Sequence, residues 1–419
     1  MNPKIRNFAS LIEPEAMEQV ERTASMPFVR SVAVMPDVHF GKGSTVGTVV
    51  ATRGAIIPAC VGVDIGCGMI AVRTNIKASA LLPKLHAVRV GIERRIPLGI
   101  GPYGQNSRII ANSTAEGHIA ALEMLAYQKW NTVDHMDKRY PQWRQQIGSL
   151  GGGNHFIEVC VGRPVSHQVH EGQLWETEAS AGKDDEVWVI LHSGSRGVGN
   201  KTGTFWTKAA QQQAKKYMYD GWLPDPDLAY LVEHSEEFWE YMKELYWCQE
   251  FARRNRDEMM ERVLEELWRT VVDGSWGANL ELERINCHHN YVEWEHHNGE
   301  NVLVTRKGAI LASEGTRGLI PGSMGTASYI VTGLGNAGAL NSAPHGAGRK
   351  MSRNEARKQF TVESVQQEME AQGIEARIRK EIVDEAPGAY KDIDVVMRDA
   401  QYLVRPTNVL RQLISVKGD

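Results

Sequence analysis

The chain has 419 residues, 42% of them hydrophobic and 23% charged, with a formal net charge of −4. That is enough apolar material for a large core and too little positive charge for a wholesale electrostatic grip on nucleic acid, although a local basic groove stays open. Five cysteines (60, 67, 160, 248, 287) without CxxC spacing argue against a disulfide scaffold and for a reducing compartment. No stretch approaches the roughly 18 apolar residues that a bilayer span needs, and Met-Asn-Pro-Lys-Ile-Arg at the N-terminus has no apolar signal core, so the expectation is a soluble cytoplasmic protein.

Residues 30–75 read as strands and turns, with short β-branched runs at 32–35 and 45–50 bounded by Pro or Gly. Residues 115–145 read as helical. The glycines 151–153 then lead into Asn154-His155-Phe156, and a strand over 186–191 runs directly into His192-Ser-Gly-Ser-Arg-Gly197. Helices are predicted over 203–218 and 235–271; in the second, Phe238, Met242, Leu245 and Tyr246 recur at helical spacing, as core side chains do. Strands resume at 291–294 and 302–305, two or three short helices follow near 361–400, and a polar tail closes the chain. There is no internal repeat and no linker. The expected architecture is therefore α+β: one domain over 1–419, with mixed sheets around a cleft, flanking helices and a helical segment at about 203–275 inserted or packed on it.

The chemistry concentrates in turns. Val61-Gly-Val-Asp-Ile-Gly-Cys-Gly68 sets a carboxylate and a thiol three residues apart in a glycine-rich turn, where Gly62, Gly66 and Gly68 allow tight or left-handed backbone and let Asp64 and Cys67 converge. His155, His192 and His289 each sit at a predicted strand end or turn, and no pair has the i, i+4 spacing of a helical metal site, so any site assembles by tertiary folding. A thiolate shared between two metals ~3.5–4 Å apart would suit two-metal phosphoryl chemistry. Imidazole and carboxylate suit Mn²⁺ or Zn²⁺, while the thiolate pulls toward Zn²⁺.

A second centre is Ala343-Pro-His-Gly-Ala-Gly-Arg349, where Pro344 restrains His345, Gly346 and Gly348 leave it accessible, and Arg349 could clamp a phosphate. A turn histidine beside a surface arginine fits the same spacing equally well. Arg349–Lys358, with five basic residues and one acid, reads either as a basic groove or as a solvated helix start. Two motif matches fail on context. Gly333-Leu-Gly-Asn-Ala-Gly338 fits GxGxxG, but Asn341, Ser342 and Pro344 come too soon for the helix a dinucleotide site opens. Gly41-Lys-Gly-Ser-Thr45 echoes a phosphate loop, but position 36 is Pro where the first glycine belongs.

Met35-Pro-Asp-Val-His-Phe-Gly-Lys-Gly43, Gly62-Val-Asp-Ile-Gly-Cys-Gly68, Gly153-Asn-His-Phe-Ile-Glu158, His192-Ser-Gly-Ser-Arg-Gly197, Asn286-Cys-His-His-Asn-Tyr291, Ile320-Pro-Gly-Ser-Met-Gly325, His345-Gly-Ala-Gly-Arg349 and Lys417-Gly418 together resemble the RtcB-type RNA ligases, in family order over nearly the whole chain and most weakly at about 76–148. The resemblance implies an RtcB-like fold and a GTP- and Mn²⁺-dependent enzyme that joins an RNA 3′-phosphate or 2′,3′-cyclic phosphate end to a 5′-hydroxyl end, in tRNA splicing or RNA repair. It implies that Asp64, Cys67 and His155 hold one Mn²⁺ and that Cys67, His192 and His289 hold the other, with His288 in a supporting place. His345 would be the guanylated residue. Asn154 would touch the GMP phosphate, and Glu158, Ser323, Ser328, Tyr390 and Lys417 would surround the nucleotide. Asp37 matches an acidic residue near the metals, and Arg196 and Arg349 would contact RNA phosphates. Asn341-Ser-Ala-Pro344 departs from the serine- and cysteine-rich run expected before the nucleophile, and Asp419 extends past the usual Lys-Gly end, both of which suit a specialised paralog. A dinuclear metal-dependent phosphoesterase is the alternative reading; it would use the metal ligands but neither His345 nor Lys417.

Overall fold

Two large β-sheets carry the molecule, and the ends of their strands converge on one region. The computed structural model describes residues 4–99, 113–130, 133–165, 182, 184–272 and 280–418. The larger sheet has the order β13-β14-β17-β6-β7-β5-β9, all antiparallel. Its strands are β13 (Arg317–Ile320), β14 (Ser328–Gly333), β17 (Val404–Lys417), β6 (Phe156–Pro164), β7 (Glu186–Ser193), β5 (Gly68–Lys77) and β9 (Glu281–His288). The short β16 (Glu375–Ala376) adds in parallel to β17. The second sheet runs β1 (Ile5–Asn7), β2 (Val29–His39), β3 (Val46–Thr52), β11 (Glu300–Lys307), β10 (Asn290–His297), with only β1 and β2 parallel. Two small pairs complete the strands: β4 (Ala55–Ile56) with β8 (Leu231–Val232), and β12 (Ala309–Leu311) with β15 (Ser342–Pro344). The α+β class with mixed sheets and flanking helices is what the sequence implies.

β5, β6 and β7 read as continuous apolar runs because both faces are covered. On one face, the helix Glu236–Leu267 packs across β5, β7 and β9. It is started by Ser235, whose side chain accepts the Phe238 N–H, with Glu236 and Glu237 favouring the positive end of its dipole. Met259, Met260, Val263 and Leu267 of this helix bury against Ile70, Val72, Val189 and Leu191 of the sheet. Earlier turns of the same helix bury Phe238, Tyr241, Met242 and Leu245 against Trp206 and Ala210 of the helix Arg196–Lys216.

The expected polar tail is not there. Residues 404–417 form a 14-residue strand between β14 and β6, well inside the sheet, with residues 412–417 all buried. Bulges interrupt its pairing near Ile330/Val331 and near Gln412/Ile414, which removes the regular alternation by which a strand is recognised. The 115–145 stretch is helical over Ser113–Leu125, Val133–Arg139 and Trp143–Gln146, with residues 131–132 outside the described part. Asp419 also lies outside it. The GxGxxG match ends β14 and passes into a single 3₁₀ turn, Ala337–Ala339, with no helix after it.

Candidate active site

The turn before β5 puts Asp64 and Cys67 at the centre of the strand ends. Gly62 and Gly66 take φ of +85° and +70°, where a side chain would be strained. Gly68 is not left-handed. It is needed because β9 passes so close that a Cβ there would lie 2.2 Å from the Cys287 carbonyl oxygen. Next to it, the Cys67 carbonyl accepts the N–H of His289 (2.8 Å) and of Asn290 (3.2 Å), which fixes the break between β9 and β10. Asn290 ties the same corner from its other side: its amide donates to the Asp64 carbonyl and its Oδ1 accepts the Gly308 N–H. His155 immediately precedes β6, and His192 lies near the end of β7, directly opposite Met69 and Phe156.

Two donor groups result, Asp64–Cys67–His155 and Cys67–His192–His289, each with its ligand atoms within 4.8 Å of one another and both sharing the sulfur. Cys67 Sγ is 3.4 Å from His155 Nε2 and 3.2 Å from His192 Nε2, and His155 Nε2 is 3.1 Å from Asp64 Oδ2. The chemistry of this set fits cations. His192 Nδ1 donates to the Asn154 carbonyl (3.0 Å) and His289 Nδ1 donates to Asn290 Oδ1 (3.2 Å), so each ring directs its Nε2 lone pair inward. Those two Nε2 atoms are 2.8 Å apart, where two lone pairs repel unless a positive charge lies against both. Burial, and then the neighbouring imidazoles, hold both rings well below the usual histidine range, which keeps them neutral and free to ligate. Burial and then the Asp64 carboxylate push the Cys67 thiol well up, so its thiolate requires a cation to form. Burial opposes the Asp64 charge, but the hydrogen bond and charge of His155 outweigh it and hold the carboxyl down at about 2. His288, the other member of the pair, faces away: its Nδ1 donates to the Gly66 carbonyl at 2.8 Å.

His345 joins this cluster from the other sheet system. It follows β15, its ring centroid is 4.6 Å from that of His289, and its side chain is 12% exposed. Asp37, fully buried in an irregular part of β2, sits beneath it. Asp37 Oδ2 accepts the backbone N–H of His345 (3.0 Å) and of Gly346 (3.2 Å) and lies 2.6 Å from His345 Nδ1. The carboxylate therefore faces the histidine and its loop, away from any solvent-borne phosphate. It leaves Nε2 as the free nitrogen.

All of this opens into a cavity of about 540 Å³. Asp64, Cys67, His192, His289 and His345 line it, as do Asn154, Glu158, Ser323, Tyr390, Lys417 and Arg349. Ser328 lies behind the wall, where its Oγ accepts the Gly322 N–H. Arg196 is not a lining residue; its guanidinium donates to Ser149 Oγ and the Gly99 carbonyl. The basic run is largely spent on two buried acids that sequence reasoning missed, Asp384 and Glu385. Arg353 reaches Asp384 at 2.6 Å and Glu385 at 2.5 Å, Arg357 reaches Asp384 at 3.1 Å, and Arg349 reaches Glu385 at 3.3 Å. Glu385 also takes the Tyr390 hydroxyl and lies 3.5 Å from the Lys417 ammonium. Burial would raise the Glu385 carboxyl, but Lys417 and Arg353 outweigh it and hold it down at about 2. Glu158 is the opposite case: burial outweighs Lys417 and Gln412 and pushes it up to about 8. Lys307, also missed, lines the cavity and donates to the carbonyls of Lys42, Ser44 and Ala59 at 2.9, 2.7 and 3.2 Å.

Comparison with known proteins places this geometry. The family model described as tRNA-splicing ligase RtcB matches residues 19–418. The RNA-splicing ligase RtcB of Escherichia coli K12 is 43% identical over 416 residues, 97% of this chain and 95% of the relative. The RNA-splicing ligase RtcB of Mycobacterium bovis is 32% identical over 96% of this chain and all of the relative, and the tRNA-splicing ligase RtcB of Nanoarchaeum equitans is 29% identical over 95% and 91%. With a family match from residue 19 to 418 and 43% identity to a relative over 97% of its length, the chain belongs to the RtcB family.

Proposed function

We propose that this protein is an RNA ligase that joins a 3′-phosphate or 2′,3′-cyclic phosphate end to a 5′-hydroxyl end, using GTP and two Mn²⁺, on ends produced in tRNA splicing or by RNA damage. One observation carries the reading: an imidazole backed by a buried carboxylate stands against a pair of donor groups that share a sulfur. Asp64, Cys67 and His155 would hold one cation and Cys67, His192 and His289 the other. Bound there, the cations would neutralise charge that builds on phosphoryl oxygens.

His345 Nε2 attacks the α-phosphorus of GTP; a P–N bond forms and pyrophosphate leaves. The ring becomes cationic as the bond forms, and Asp37 at Nδ1 stabilises that charge without moving. An oxygen of the RNA 3′-phosphate then attacks the same phosphorus, the P–N bond breaks, and neutral imidazole departs with its Nδ1 proton. The RNA end is now an anhydride with a good leaving group. The 5′-hydroxyl attacks it, loses its proton, and GMP leaves. A cyclic end is first opened by water. Asn154, Glu158, Ser323, Tyr390 and Lys417 orient the nucleotide, and buried Ser328 supports the wall behind it.

The test incubates pure protein with Mn²⁺, labelled GTP and RNA of defined ends. Label retained on the protein in a denaturing gel, and lost in His345→Ala, is the expected result, together with a longer RNA product. Label retained in His345→Ala would overturn the assignment. Processing of the RNA without GTP would favour the phosphoesterase.

A further inference from the structure

The cavity has a further wall besides the strand ends that carry Glu158 and Lys417. This wall is the helix Arg196–Lys216, which contributes Thr204, Thr207, Lys208 and Gln211. These positions are i, i+3, i+4 and i+7, a single helical face. The same face continues to Lys215, and the helix ends at Lys216, whose ammonium stands 5.0 Å over the ring of Tyr217. Lys208, Lys215 and Lys216 are exposed, and none has a carboxylate partner among the described residues. Of the three aspartates that follow, Asp225 pairs with Arg22 at 3.4 Å, whereas Asp227 accepts from the neutral Gln211 amide at 2.9 Å and keeps its charge, so Asp220 and Asp227 stand against the three ammonium groups.

Just beyond the helix, large aromatic surface is open to solvent. Tyr217 is 60% exposed and Trp222 47%. Trp222 is braced from behind: it touches Tyr219 at 6.3 Å and Tyr230 at 6.4 Å, Tyr219 stacks on Tyr230 at 4.8 Å, and Tyr230 in turn touches Phe28 at 4.6 Å. The platform is close to the cavity. Tyr230 is three residues from Asp227, which lines the mouth, so no more than ~11 Å of chain separates them.

We propose that this helix face and the aromatic segment after it form a track for single-stranded RNA, running from the cavity mouth to a stacking platform at Tyr217 and Trp222. The inference rests on the ligase reading and adds the form of its substrate: a reacting end with an unpaired tail of roughly four or more nucleotides, the span of a small single-strand groove. Lysines on one face follow the backbone, and exposed rings accept any base by stacking, so the track is indifferent to sequence. A duplex running up to the reacting end keeps its bases paired and offers the rings nothing.

The experiment uses the full chain with Mn²⁺ and GTP and varies the length of one RNA strand from three to twenty nucleotides, first the 3′-phosphate strand and then the 5′-hydroxyl strand. The variants are Tyr217→Ala, Trp222→Ala and Trp222→Phe. For the long strand, KM in each alanine variant is expected to rise about tenfold, the size of stacking one or two bases. Three-nucleotide strands should be unaffected, Trp222→Phe should restore most of the loss, and labelling of the protein by GTP should be unchanged in all three. Length dependence in one of the two arms supports the proposal and assigns the track to that strand. Length dependence in neither arm, an equal loss with three-nucleotide strands, or equal use of blunt duplex ends would overturn it. If the wild-type protein takes no label from GTP, the ligase reading itself has failed, a result separate from all of these.

Discussion

Asp37→Asn is the sharpest perturbation the structure offers, because it keeps shape and removes charge. One oxygen of Asp37 receives the His345 N–H, the Gly346 N–H and the approach of His345 Nδ1 at 2.6 Å. If the asparagine oxygen takes that place, both backbone bonds survive, and the cost falls on the ring. Before attack the replacement exchanges a charged neighbour of Nδ1 at 2.6 Å for a neutral one, a change of ~1 kcal/mol. During attack the ring becomes cationic, and a full opposing charge is then missing. A pair of unit charges 4 Å apart interacts with roughly 4 kcal/mol at an effective dielectric near 20, and this pair is closer. The expected loss in the guanylylation rate is therefore on the order of 10³–10⁴-fold, comparable to removing the carboxylate behind a catalytic histidine in other enzymes. Single-turnover labelling with GTP measures it directly, with melting temperature and bound metal as controls. A correctly folded Asp37→Asn protein that labels within about tenfold of wild type would refute the reasoning.

Other outcomes follow from the same contacts. Glu385→Gln leaves Lys417, Arg349 and Arg353 without their shared anion, so the KM for GTP should rise by about tenfold or more while the maximal rate falls less; the reverse split would show that Glu385 does not position the nucleotide wall. Cys67→Ala removes the atom common to both donor groups, and elemental analysis should find both ions lost together; normal two-ion content would exclude a shared ligand. Glu158 has a folded pKa near 8, above its ordinary value, so the folded state holds its proton longer than the unfolded chain does. Stability from this group falls as pH rises from about 4.5 to 8. Glu158→Gln should therefore melt higher than wild type at pH 8, with the gap closed by pH 4; a gap independent of pH would contradict the assignment.

Much of the donor cluster was legible because its residues are oddities in their surroundings. A thiol in a glycine turn and histidines at strand ends are expensive to place unless they are used, and the turns announce themselves locally. The role of Asp37 was not legible, because it depends on a contact with a histidine 308 residues away. The same limit hid Asp384 and Glu385, whose meaning lies in the arginines that fold onto them, so a run that looked like a basic groove is mostly neutralised inside the protein. Arg196, read from its motif as a phosphate contact, donates to Ser149 Oγ and to the Gly99 carbonyl. The strand over 404–417 was missed for a different reason: two bulges and an internal Pro406 erase the period of two on which strand recognition depends.

That strand has a consequence for the order of events in the making of the molecule. It is made after every other described strand, yet it lies between β14 and β6. A nascent chain halted near residue 400 would carry two part-sheets with open edges and no Lys417 in the cavity wall, so the hydrogen-bond ladder closes only once residues 404–417 have been made. Joining activity should be absent from chains that stop before residue 404, and such chains should depend on chaperones more than their length alone would suggest.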